Sequence, residues 1–156
     1  MQEQSWQAPE WWCLNGKRPA NDDGYFENMC RIIFQAGLNW SVIEKKWPTT
    51  QNAFANFSVD KVARFDDADL ERLLKDEGIV RNRGKIQATI LNARQFKEIQ
   101  KEYGSFQKYL DSLDKSNNYA NVAKEFTNRF KWLGLSSATM YLSTVGEKIK
   151  HTGEMW

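Results

Sequence analysis

Histidine occurs once and cysteine twice in this 156-residue chain, which leaves little material for a metal centre or a disulfide framework. Cys13 and Cys30 stand apart with no second pair, so a reducing compartment is the expectation. No apolar run approaches the ~20 residues that a membrane-spanning helix requires. The opening MQEQSWQAPEWW has neither the basic n-region nor the apolar h-region of a secretory signal. Nowhere do apolar and polar residues alternate for long, which argues against a sheet. Internal repeats and low-complexity linkers are missing too. Formal net charge is only +2, too little to indicate a nucleic-acid partner by itself. These absences lead to the expectation of a soluble, cytoplasmic protein.

What is present is aromatic and helical. Seven tryptophans can build a sizeable core despite the polar average. Asp22 or Asp23 is placed to cap a helix with Tyr25, Phe26, Met29, Ile32, Ile33 and Ala36 at helical spacing, ending at Gly37. Asn39 caps the next, which carries Trp40, Ile43 and Trp47 on one face and has Pro48 as its expected stop. Ser58 and Asp67 open two more, the second ending at Gly78. The longest helix is expected from about Asn82 to Glu102, with Ile86, Ile90, Ala93 and Phe96 inward. Ser105 caps another. The segment 114–121, DKSNNYAN, reads as the most loop-like; a helix through Phe130 and a last helix from Ser136 to Val145 follow. The fold class is all-α.

Two features do not fit a plain helical core. The run QAGLNW (35–40) breaks a helix at Gly37, leaves Leu38 at a corner and reopens on Trp40. Near the C-terminus, RFKWLGLSSATMYL (129–142) is a helix, a short glycine turn and a helix entered on hydroxyl residues. That arrangement leaves backbone N–H groups from Gly134 to Ser137 at a helix start, an anion site for which Lys131 adds charge. An ordinary serine-capped αα-turn has the same sequence signature. The earlier turn GIVRNRGKIQ (78–87) clusters Arg81, Arg83 and Lys85. A charge cluster is usually just a solvated turn; two basic turns flanking one aromatic corner point to a nucleic-acid face more than either does singly.

The blocks FENMCRIIFQAGLNWSVIEKKW (26–47), LLKDEGIVRNRGKIQATILNAR (73–94) and FKWLGLSSATMYL (130–142) resemble the type I DNA-3-methyladenine glycosylases, of the helix-hairpin-helix superfamily. The resemblance runs from about residue 22 to 151. It implies two helical lobes around a base-binding cleft, within one domain spanning 1–156. It also implies hydrolysis of the N-glycosidic bond of an alkylated purine, most simply 3-methyladenine, with water as nucleophile and no cofactor. The partner is then double-stranded DNA containing alkylated bases, bound by a monomer. Such enzymes draw the base from the stack into an aromatic pocket. A cationic alkylated adenine stacks well on rings and already leaves readily. Carried over residue by residue, Leu38 is the wedge, with Gln35 and Gly37 beside it. Trp40 and Trp6 wall the pocket. Residues of the hairpin, Lys131, Gly134, Ser136 and Ser137, hold phosphate, joined by Arg83 and Lys85.

The departures from the family are specific. The pocket glutamate that hydrogen-bonds the methylated base is replaced by Ile32. The family's zinc ligands read Gln4 at the first position and Met155 at the fourth, and only His151 matches. One imidazole, even with Cys13, cannot build a four-ligand site; no zinc is expected. Trp11 and Trp12 either line the pocket or plug the N-terminus. Ile32 is either plain core or the wall of a broader apolar pocket. An acid from Asp22, Asp23 or Glu10 is an open possibility in place of the missing one, and the catalytic residue stays unassigned. Loss of the glutamate also admits a second reading, a non-catalytic damage-sensing module of the same fold.

Overall fold

A computed structural model describes residues 17–150. Within them lie eight α-helices and no strand: α1 (Asp22–Gln35), α2 (Trp40–Ala53), α3 (Val59–Ala63), α4 (Asp67–Leu74), α5 (Arg83–Tyr103), α6 (Phe106–Ser112), α7 (Ser116–Arg129) and α8 (Leu135–Thr144). The all-α expectation holds. Side-chain caps set most of the starts: Asn39, Ser58, Asp66, Asn82 and Ser105 each accept an N–H from the first turn that follows. Such a cap is worth ~1 kcal/mol against alanine.

Several boundaries differ from the sequence reading, among them the start of α4, which Asp66 caps in place of Asp67 because its carboxylate takes the Asp69 N–H. Asn21, not Asp22 or Asp23, caps α1, because both aspartates reach other elements. Asp22 accepts the Phe106 N–H and Gln100 Nε2–H, and Asp23 accepts the Val59 N–H at 2.9 Å. Pro48 does not stop α2, which runs on to Ala53. Its missing N–H falls on an exposed side, while Trp47, Thr50 and Ala53 are buried and hold the helix down. The Thr50 hydroxyl also bonds back to the Lys46 carbonyl at 2.6 Å. α4 ends at Leu74, well before Gly78, since the Asp76 carboxylate takes the Gly78 N–H into a local turn. The loop reading of 114–121 holds only in part: α7 opens at Ser116, but through a left-handed turn at Asn117, Asn118 and Tyr119.

Two aromatic clusters form the core. In one, Trp47 stacks on Phe57 at 5.1 Å, with Phe34 and Phe54 edge-on or stacked beside them. In the other, Phe96 stacks on Phe106 at 4.6 Å within a group that includes Tyr109, Phe126, Phe130 and Tyr141. Phe26 of α1 touches both, through Phe57 and Phe96. α1 is therefore the central helix, and its C-terminal end carries the corner. Arg18 pairs with Asp111 of α6 at 2.7 Å, and Lys115, just ahead of α7, pairs with the buried Glu147 beyond α8 at 2.8 Å.

Candidate DNA-facing site

The corner is built by local bonds. Gly37 has φ +79°, a left-handed conformation that a side chain would strain. The Leu38 N–H donates to the Gln35 carbonyl at 2.7 Å, and Gln35 Nε2 returns a 3.4 Å contact to the Leu38 carbonyl. Asn39 then accepts the Ser41 N–H at 2.8 Å and starts α2. Held from both sides, Leu38 projects with 39% of its surface exposed, and Val42 stands exposed beyond it. Trp40 packs against the core with part of its surface open.

The hairpin between α7 and α8 is held by a residue the sequence reading missed. Asn92, buried in α5, accepts the Lys131 N–H at 2.8 Å and donates to the Lys131 carbonyl at 3.1 Å. This two-way clamp fixes a turn in which Trp132 adopts φ +60°, a conformation costing about 1–3 kcal/mol outside glycine. Trp132 and Leu135 are left 51% and 61% exposed, and Lys131 is exposed as well. Gly134 caps α8 without a side-chain bond. The first backbone bond of α8 runs from the Ala138 N–H to the Gly134 carbonyl. The N–H groups of Leu135, Ser136 and Ser137 thus lie ahead of it, at the positive end of the helix dipole.

The other basic turn behaves differently. Lys85 departs from the expectation of a phosphate-facing cation: it is 3% exposed. Its ammonium donates to the Phe34 carbonyl at 2.9 Å and the Ala36 carbonyl at 2.6 Å. The stem of a lysine on the first turn of α5 reaches exactly the end of α1, and those carbonyls outcompete solvent for it. Burial pushes its pKa down. Arg83 is exposed and lies 3.7 Å from Glu71 of α4.

Ile32 is 1% exposed and belongs to the core of α1. Among the described residues, the two aspartates considered as its replacement, and Glu27 of the same helix, are engaged elsewhere. Asp22 and Asp23 make the ties described above. Glu27 accepts Trp47 Nε1–H at 2.8 Å and Gln51 Nε2–H at 2.7 Å, with Arg31 at 3.6 Å, and so fastens α1 to α2. Glu10, Trp6, Trp11, Trp12 and the residues at the zinc-ligand positions, Gln4, Cys13, His151 and Met155, lie outside the described residues. Among the described residues no cluster of histidine, cysteine or carboxylate side chains is grouped to hold a metal, and no helix is long and apolar enough to cross a membrane.

The methyladenine glycosylase family model matches residues 7–146. DNA-3-methyladenine glycosylase 1 of Escherichia coli K12 is 44% identical over 75 residues, 48% of this chain and 40% of that protein. The DNA-3-methyladenine glycosylase of Haemophilus influenzae is 29% identical over 98 residues, 63% of this chain and 53% of that one. The chain thus spans about half the length of the curated relatives it matches. A solved structure of 3-methyladenine DNA glycosylase I from Staphylococcus aureus, described as the basis of 3-methyladenine recognition, aligns with a TM-score of 0.74 and 25% identity. That alignment covers 90% of this chain and 88% of the other.

Proposed function

Because the chain belongs to the methyladenine glycosylase family, we propose that it is a monofunctional DNA glycosylase that releases 3-methyladenine from duplex DNA. The observation that carries this is the pairing of two exposed features on one end of α5. Lys85 bonds the backbone leading into the Leu38 corner, and Asn92 clamps the hairpin. A duplex docked by phosphate on Lys131, Gly134, Ser136 and Ser137 presents its stack to a projecting leucine. Leu38 fills the gap left by the displaced base, as apolar wedges do. Trp40, with Trp6 and Trp12 from the N-terminal segment, supplies rings for a cationic purine. Water attacks C1′ while the positively charged base departs, so little acid catalysis is needed from the chain. The enzyme acts as a cytoplasmic monomer without a cofactor.

The presence of Ile32 where the family has its glutamate favours the second reading, a damage-binding module without chemistry. Incubation with methylated duplex DNA, followed by chromatography of the released bases, separates the two. Release of 3-methyladenine, abolished in Trp40→Ala, is the expected result. Binding without any base release would leave the sensing role.

A further inference from the structure

Lys85 is an unusual expenditure. A buried ammonium loses its hydration, and a methionine would fill the same volume at no such cost. What the charge does is hold the last carbonyls of α1, at Phe34 and Ala36. α1 has no basic residue in its own last turn, so Lys85 supplies from another helix the cation that a helix C-terminus favours. Gly37 and Leu38 follow directly. The same turn of α5 also grips the hairpin. A Cβ on Gly84 would come within 2.8 Å of Trp132 Cζ2, so the bare glycine is the seat of that indole. The Lys85 ammonium lies 5.9 Å from the centre of the Trp132 ring. One short stretch of α5, residues 84–92, therefore touches both exposed features.

We infer that Lys85 is a positioning residue for lesion recognition: it locks the Gly37–Leu38 corner at a fixed offset from the 130–134 hairpin. Phosphate docking on the hairpin and insertion of Leu38 then happen in one register. The inference rests on the glycosylase reading above. It predicts that Lys85 acts through Leu38 rather than through phosphate or through general stability.

The test is a double-mutant cycle on binding, using the full chain and two duplexes, one intact and one carrying a tetrahydrofuran abasic analogue. Affinities are measured over a series of salt concentrations for the parent, Leu38→Gly, Lys85→Met and the double variant. The parent should prefer the abasic duplex. Lys85→Met should cut that preference about tenfold and leave affinity for intact duplex and its salt slope unchanged. In the Leu38→Gly background the same change should have almost no further effect, because coupled residues do not add. Equal effects in both backgrounds would overturn the inference. So would an equal loss on both duplexes with a salt slope lower by about 1, the mark of a phosphate contact. If Lys85→Met does not fold, Lys85→Gln, a neutral donor on a shorter stem, is carried through the same cycle with the same criteria. Absence of any abasic preference in the parent removes the glycosylase reading itself. Preference retained in Lys85→Met removes only the role of Lys85.

Discussion

The two basic turns, 81–85 and 129–134, look alike as sequence, yet Lys85 of the first and Lys131 of the second are used in opposite ways. Each sets cations beside a glycine at a helix start. In the first, the cations turn to the protein: Lys85 to the carbonyls of α1 and Arg83 to Glu71. In the second, Arg129 also turns inward, to Gln95 at 2.8 Å and Glu102 at 3.1 Å, but Asn92 holds Lys131 by its peptide groups so that its side chain stays outside. What decides the outcome is whether a buried acceptor lies within reach of the side chain. The first turn is a brace and the second a presenting surface.

The comparison breaks most visibly at Asn92. Asn92→Ala leaves the Lys131 N–H and carbonyl without their partner and frees a strained Trp132. It should cost about 2–3 kcal/mol of stability, since unsatisfied buried polar groups cost ~1–3 kcal/mol each. Thermal or urea unfolding reads this directly; an unchanged midpoint would mean that the clamp is dispensable. Duplex binding should fall with it, because the presenting surface loses its frame.

A smaller effect separates the turns by salt. Lys131→Ala should weaken binding to any duplex alike, because phosphate contacts carry no base information. Its salt slope should fall by about 1, whereas the slope of Lys85→Met should not move. Titrations of intact duplex at several salt concentrations give both numbers. If Lys131→Ala leaves the slope intact while Lys85→Met lowers it, the roles assigned to the two turns are reversed.

Much of this was legible beforehand. Asn39, Ser58, Asn82 and Ser105 announce their helices because capping is decided within three or four residues. The corner was legible for the same reason: Gly37 and Asn39 are local instructions. Lys85 and Asn92 were not, since their partners lie about forty to fifty residues away in sequence and nothing in their neighbourhood marks them. Pro48 was misread because burial of Trp47, Thr50 and Ala53 outweighs one lost hydrogen bond on an exposed side. Asp22 and Asp23 looked like caps but serve other elements, a choice that only packing makes.

The smallest expected effect lies at Arg83, where the two uses of a cation compete within one side chain. Its guanidinium and the Glu71 carboxylate are 56% and 60% exposed and 3.7 Å apart. An exposed pair of this kind is worth ~0–1 kcal/mol, so Arg83→Ala should barely shift the unfolding midpoint. On the proposed reading a DNA phosphate would offer the same guanidinium a partner of similar strength, in competition with Glu71. Arg83→Ala should therefore lower duplex affinity by less than Lys131→Ala does. Glu71→Gln should raise affinity slightly and steepen the salt slope, because it releases Arg83 to the DNA. If Glu71→Gln has no effect on binding while Arg83→Ala weakens it as strongly as Lys131→Ala, Arg83 belongs to the presenting surface and the first turn is a brace at Lys85 alone.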